Sequence, residues 1–258
     1  MMGQLRDYIK ETVFCLALMA MVGIPDTSVF SLDLELAHNP TAYLVDKARE
    51  KRILLIGTHH RNDYIHEVIA SSLPMLAEQA KINTLFVEIP SSQQPNIDRF
   101  CSRLIGVQGI WVHSIVTSPS FLKILNQARD LGMNIIAMDA DVPSPINRDK
   151  WMSEKVITYM EQHPNEKAIV FVGARHVLKG LEWAFSHAPT LADHLSTYDT
   201  FSVVPWPDSA DSDQAVAMDI TPTKFEGVNL PLLRAMNLKP HVTILTAADG
   251  IILLPKAR

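Results

Sequence analysis

The chain has 258 residues, 47% of them hydrophobic and 20% charged, enough apolar sequence to bury one large core and too much for an extensively disordered chain. Its net charge of -5 leaves no basic stripe to neutralise phosphates, which argues against nucleic acid as a partner. Cys15 and Cys101, the two cysteines, belong to no C-x-x-C or C-x-x-H pair and build neither a disulfide framework nor a structural zinc site.

At the N-terminus an uninterrupted apolar stretch runs from Thr12 to Pro25, after Arg6 and Lys10. It is shorter than the roughly 20 residues of a spanning helix. Its length and small residues suit the apolar region of a signal peptide, while Asp7 and Glu11 offset the positive charge that such peptides carry. Residues 1–30 therefore read as a signal peptide, a membrane anchor or a buried N-terminal helix ended by Gly23 and Pro25. Export, membrane association and a cytoplasmic location all stay open. Residues 31–258 read as a single domain.

Beyond that segment, apolar runs of strand length alternate with amphipathic stretches of helix length. This is the pattern of an α/β fold with a mostly parallel central sheet flanked by helices. The first strand spans Arg52 to His60. A helix capped by Asn62 or Asp63 follows to Ala80, with Ile65, Val68, Ile69, Leu73 and Leu76 on one side and Pro74 as a weak point. The second strand runs from Thr84 to Glu88, closed by Pro90, and a helix covers Ile97 to Leu104. After a turn region at Gly106 and Gly109, a helix capped near Ser118 or Ser120 continues to Gly132. The third strand, Asn134 to Asp139, meets Pro143 and Pro145, and Arg148-Asp149 opens a helix ending near His163. The fourth strand, from Ala168, leads through Gly173-Ala-Arg-His176 into a helix containing Leu178, Leu181, Trp183 and Phe185. Tyr198 to Trp206 reads as another strand. The pattern ends in a C-terminal β-hairpin extension, with His241 to Leu245 pairing Ile251 to Leu254 across Asp249-Gly250.

Four apolar runs thus end in His59-His60, Glu88, Asp139 and Arg175-His176. In open α/β sheets the crevice outside the carboxyl ends of the strands is the usual ligand site, and a charge buried there needs a partner. Two imidazoles and a carboxylate suffice to hold a divalent metal with a position left for water, and such a metal lowers the pKa of that water. His59 and His60 are consecutive and point to opposite sides, so one enters the site, and His60 is the choice. His66 is a ligand, a substrate contact or a packing residue. Glu88 is a metal ligand or the ion-pair partner of Arg148 or Arg175. Asp139 is a ligand or a turn residue, and Arg148 faces either the crevice or solvent.

Gly57-Thr-His-His60 and Gly173-Ala-Arg-His176 are two G-x-x-H motifs separated by a strand ending in Glu88. In this the chain, over roughly Ile53 to Gly180, resembles the superfamily that includes the Tiki proteases, the TraB and GumN-like proteins, the ChaN-like haem-binding proteins and the erythromycin esterases. The resemblance implies His60 and His176 as motif histidines and Glu88 as their acidic partner. It likens His66 to a histidine downstream of the first motif in ChaN-like members, and Arg148-Asp149 with Met152 to the segment before their second motif. Thr58 stands where ChaN-like and esterase members usually carry a glutamate, so the local pattern is closer to the Tiki and TraB side.

Two functions follow as expectations. One is a metal-dependent hydrolase of peptide or ester bonds, with His60, Glu88 and His176 as catalytic and metal-binding residues. His59, His66, Asp139, Arg148 and Arg175 surround substrate or ligands there, and zinc, manganese or cobalt suits the donor set. The alternative is a haem- or small-ligand-binding protein without catalysis, with Tyr64 beside the histidines as an axial candidate. A non-enzymatic interaction domain is a third class. Peptides or small molecules are the expected partners, with membrane association through the N-terminal segment left open.

Overall fold

The computed structural model describes residues 38–60, 62–113, 117–141, 147–182, 187–210, 214–226, 239 and 242–255. The apolar N-terminal stretch, Pro143, Pro145, Trp183, Phe185 and His241 lie outside them. Seven strands form one sheet: β1 (Ile53–Thr58), β2 (Ile82–Pro90), β3 (Asn134–Asp139), β4 (Lys167–Gly173), β5 (Thr200–Ala210), β6 (Val216–Asp219) and β7 (Gly250–Pro255), in the order β3-β2-β4-β1-β5-β7-β6. Every neighbouring pair is parallel except β6 with β7. The mostly parallel sheet flanked by helices is the architecture that the alternating runs predict.

The middle strands are apolar along most of their length, as strands covered on both faces are. In β1, Leu54 and Ile56 point into one core layer with helices α1 (Pro40–Glu50), α2 (Asp63–Ala80), α3 (Gln94–Cys101) and α4 (Pro119–Asp130). Ile53 and Leu55 point into the other, with α5 (Arg148–Gln162) and the short helices α6 (Leu191–His194), α7 (Pro222–Phe225) and α8 (Ile244–Ala247). Among the described residues no helix is long and apolar enough to cross a membrane.

Cations close the helices at the amino edge of the sheet. Arg52 donates to the carbonyls of Met160, His163 and Glu166 at 2.6, 3.0 and 3.2 Å, at the end of α5. Lys167 Nζ donates to Ala48 and Arg49 at 2.7 Å, at the end of α1. Both cations satisfy carbonyls that a helix C-terminus leaves open and sit at the negative end of its dipole. With its last turn pinned there, α5 presents its first turn at the opposite, carboxyl edge.

Two elements differ from the sequence reading. The C-terminal antiparallel pair is present, but β7 pairs with Val216–Asp219, while Ile244–Ala247 is a helical turn. The residues after Gly173 form a single 3-10 turn, Ala174–Val177, rather than a helix. That turn packs against β1: a Cβ on Gly57 would lie 2.9 Å from Ala174 Cα and 3.0 Å from Val177 Cγ2. The turn after β4 therefore lies directly against β1 only because residue 57 has no side chain. Gly57→Ala should destabilise the protein by about 1–3 kcal/mol through overpacking against backbone, measured as a lower denaturant midpoint with an unchanged slope. An unchanged midpoint would show that the turn yields.

Candidate functional site at the carboxyl edge

Register pairs Thr58 with Gly173, Val87 with Phe171 and Pro90 with Asp139, so the four runs singled out in the sequence end side by side. Glu88 is nearly fully buried. Its Oε1 accepts from Arg148 Nη2, and its Oε2 accepts from the Gly173 N–H at 2.7 Å. Arg148 also donates to both oxygens of Asp139, Nε to Oδ1 at 2.6 Å and Nη2 to Oδ2 at 2.7 Å. The guanidinium therefore joins the ends of β2 and β3, in the planar bidentate geometry to which arginine is suited. Ser91 Oγ, donating to the Asp139 carbonyl at 2.7 Å, ties the same two ends again.

This arrangement fixes the charge on Glu88. Burial pushes its carboxyl up, but Arg148 first, then His60, His176 and the Gly173 N–H, outweigh that cost and hold it well below the ordinary carboxylate range. Glu88 stays ionised at any pH at which the protein functions. Burial likewise works against the Arg148 cation, and Glu88 and Asp139 more than restore it.

His176 is buried in the turn after β4. Its Nδ1–H donates to Asp149 Oδ1 at 2.6 Å, and the same oxygen accepts the Leu191 N–H at 2.9 Å. Asp149 is ionised despite burial, because His176, then Arg175 and the Leu191 N–H, lower its pKa. With a carboxylate on Nδ1, the imidazole is held in one orientation with Nε2 bare as an acceptor. That acceptor takes a hydrogen bond from Arg175 Nε at 3.2 Å. Asp149 was not among the site residues picked out in the sequence. The available signal was an acidic residue in the first turn of a helix that follows a strand-end loop.

His60 leans over Gly173 toward Glu88, with Nε2 3.7 Å from Oε2, beyond hydrogen-bond distance, and its buried Nδ1 has no partner among the described residues. Burial lowers its pKa; Glu88 opposes this, and His176, Arg148 and Arg175 reinforce it, so the ring is neutral. His59 lies beside β5, and burial first, then His60, lowers its pKa against the opposing influence of the Pro205 backbone. His66 takes the packing alternative. It is fully buried in α2, with Nε2 2.9 Å from Thr58 Oγ1 and Nδ1 3.0 and 3.1 Å from Ser118 and Ser120 Oγ. Edge-on contacts to Phe121 and Phe171 complete its surroundings. Tyr64, the residue considered for haem, is 44% exposed.

The donor set expected to hold a metal does not fit one as placed. Both Glu88 oxygens are engaged, one of them by a cation that would repel a metal ion. Both His176 nitrogens are engaged as well. Among the described residues no group of three His, Cys, Asp or Glu side chains is arranged to hold a metal ion. Of the alternatives for Glu88, metal ligand or ion-pair partner of Arg148 or Arg175, the structure has the pairing with Arg148.

No family model matches the chain, and no curated protein matches it. Solved structures do. A succinoglycan biosynthesis protein matches with a TM-score of 0.62 at 7% identity, over 90% of this chain and 97% of that one. An erythromycin esterase in its open conformation matches with a TM-score of 0.60 at 11% identity, over 84% and 93%. The type III effector HopBA1 matches with a TM-score of 0.56 at 12% identity, over 90% and 100%. At identities this low the likeness shows the fold alone, and it is the fold that the family resemblance implies.

Removing Arg148 should be costly. Arg148→Met strands a buried carboxylate, and about 3 kcal/mol is expected, the lower end for breaking a buried pair because solvent reaches the guanidinium. Glu88→Gln combined with Arg148→Met should recover part of that loss in chemical denaturation, and failure to recover would mean that Asp139 carries the cost. A second expectation concerns pH. Burial lowers the His66 pKa from 6.5 to about 4, so between those values the unfolded chain binds the extra proton. The stability that His66 contributes is therefore complete above pH 6.5 and is lost as pH falls toward 4. Thermal midpoints of His66→Gln should slope less steeply than wild type across that window; identical slopes would assign the loss to other groups.

Proposed function

We propose that this chain, which has the fold found in an erythromycin esterase, is a hydrolase of ester or amide bonds whose water-activating base is His176. One observation carries the reading: His176 is buried at the crevice edge with Nδ1–H on the Asp149 carboxylate, so its Nε2 lone pair points away from the acid and is the group able to accept a proton. A base oriented by a carboxylate on its far nitrogen is the arrangement that acyl-transfer sites use.

The remaining residues divide the other tasks by their charge states. Glu88 cannot be a general acid, since it holds no proton at working pH. Its role is to keep Arg148 in place. His60 is neutral and has no spare proton, so the imidazolium formed on His176 is the group that returns a proton to the leaving group. His176 takes the proton of the attacking water once Arg175 moves off Nε2, and Asp149 stabilises the imidazolium that results. The metal-dependent route expected from the sequence would have to displace Arg148 and the Gly173 N–H from Glu88 and Arg175 from His176 Nε2, so no step is assigned to a metal. Peptide and small-molecule esters are both admissible substrates.

Hydrolysis of p-nitrophenyl esters, both neutral and carboxylate-bearing, and of a fluorogenic peptide pool, with and without EDTA, tests the reading. His176→Gln and Asp149→Asn should each lower kcat about 10²- to 10⁴-fold, the usual contribution of a positioned base, and EDTA should leave the wild-type rate unchanged. Full activity in His176→Gln would remove the proposal. Activity lost to EDTA and restored by zinc, manganese or cobalt would return the metal to His60, Glu88 and His176.

A further inference from the structure

Two arginines stand at the carboxyl edge of the sheet, and their charge balance differs. Arg148 is saturated by the carboxylates of Glu88 and Asp139. Arg175 is partly buried in the turn after β4, and among the described residues no carboxylate lies within ion-pair distance of it. Its hydrogen bond is to an uncharged acceptor, His176 Nε2 at 3.2 Å. Its charge is felt by both His60 and Asp149, which puts the guanidinium among the groups proposed for chemistry. A guanidinium carries five N–H donors in a rigid fork matched to carboxylate and phosphate. An imidazole nitrogen satisfies one of them, which leaves the rest of the fork for an oxyanion.

The same contact covers the lone pair of the proposed base. Water cannot pass a proton to Nε2 while Arg175 donates to it, so the group that would do the work and the group that lacks a counter-ion block each other. An anion in the crevice resolves both. A bidentate pairing of the guanidinium fork with an oxyanion is stronger than a single bond from the same cation to a neutral nitrogen, and its formation releases Nε2.

We infer that Arg175 anchors an oxyanion carried by the substrate, a carboxylate or a phosphate, and that its transfer from His176 to this anion uncovers the base. Arg175 is thus a specificity-determining residue: an anionic substrate exposes Nε2, and a neutral one of the same shape leaves it covered. No bond is made or broken in this exchange beyond one hydrogen bond given up and at least one formed. The inference deepens the hydrolytic reading of the crevice and rests on it for its consequence, but anion capture is measured without turnover, so the two fail separately.

The test is calorimetric titration of the full chain with sodium phosphate and with sodium acetate at constant ionic strength, alongside ¹⁵N spectra of the His176 ring. Wild type should bind at least one of the two anions, with the Nε2 resonance moving on saturation, and the tighter of them identifies which oxyanion the site takes. Arg175→Gln should weaken that binding about tenfold or more, the loss expected for a charge-assisted hydrogen bond, and the His176 resonance should no longer respond. Arg175→Lys, which keeps the charge but not the fork, should retain part of the affinity. It provides the comparison if the glutamine variant does not fold. Absence of binding in wild type, or equal binding in Arg175→Gln, overturns the inference. Binding that leaves the Nε2 resonance unmoved overturns the uncovering of the base.

Discussion

A single guanidinium sets the geometry of the carboxyl edge. Glu88 and Asp139 sit at the ends of adjacent parallel strands, where their side chains converge and burial removes most of their solvation. Without a cation between them, the two carboxylates would repel and each would remain unsatisfied. Arg148 supplies that cation from the first turn of α5, a position where the helix dipole itself disfavours positive charge. The position is tenable because two carboxylates face it. The next residue, Asp149, has the charge that a helix N-terminus favours, and it turns the other way, to His176. Two consecutive residues at one helix start thereby hold groups from the ends of β2, β3 and β4.

From this follows a separation of charge states. Glu88 and Asp149 are kept ionised by arginine, backbone N–H groups and imidazole, while His60 is kept neutral by burial and by the arginines nearby. Acids and bases with pKa values pushed apart in this way are suited to distinct roles in proton transfer. The polar groups around His66 take no part in this division. Asp63, Ser120, Ser118 and Thr58 satisfy a buried imidazole on the far side of β1, as a core polar cluster requires.

Much of the fold is legible in the sequence because the central strands are buried on both faces and read as unbroken apolar runs. The strand-end positions of His60, Glu88, Asp139 and His176 follow from those runs, and the pairing of Glu88 with Arg148 stood among the alternatives. What was not legible depends on contacts between distant segments. Asp149 looks like an ordinary first-turn acid, since such residues stabilise helices without any site. Val216–Asp219 is too short to display a two-residue alternation, and its place in the sheet is set by β7 on one side and by the bridge from His38 to Ala217 on the other. Apolar residues after His176 have helical spacing but are used differently. The Leu178 carbonyl is taken by Thr190 Oγ1 at 2.6 Å, and the Lys179 N–H goes to the Ala247 carbonyl at 2.8 Å, so tertiary bonds replace a helical ladder.

The two G-x-x-H motifs have a physical content that the pattern alone does not express. Gly173 has φ -50° and ψ 139°, values open to any residue, so no unusual backbone demands glycine there. Space does. A Cβ would lie 3.0 Å from His60 Nε2 and 3.5 Å from Glu88 Oε2, in the gap that lets the imidazole approach the carboxylate while the Gly173 N–H donates to that carboxylate from below. Gly57 does the corresponding work one strand away, letting β1 close against the turn that carries His176. Each glycine serves the histidine of the other motif: Gly173 makes room for His60, and Gly57 for the turn bearing His176. The motifs are therefore one packing unit read twice along the chain, and their reciprocal contact is what makes a pair of them more informative than either alone.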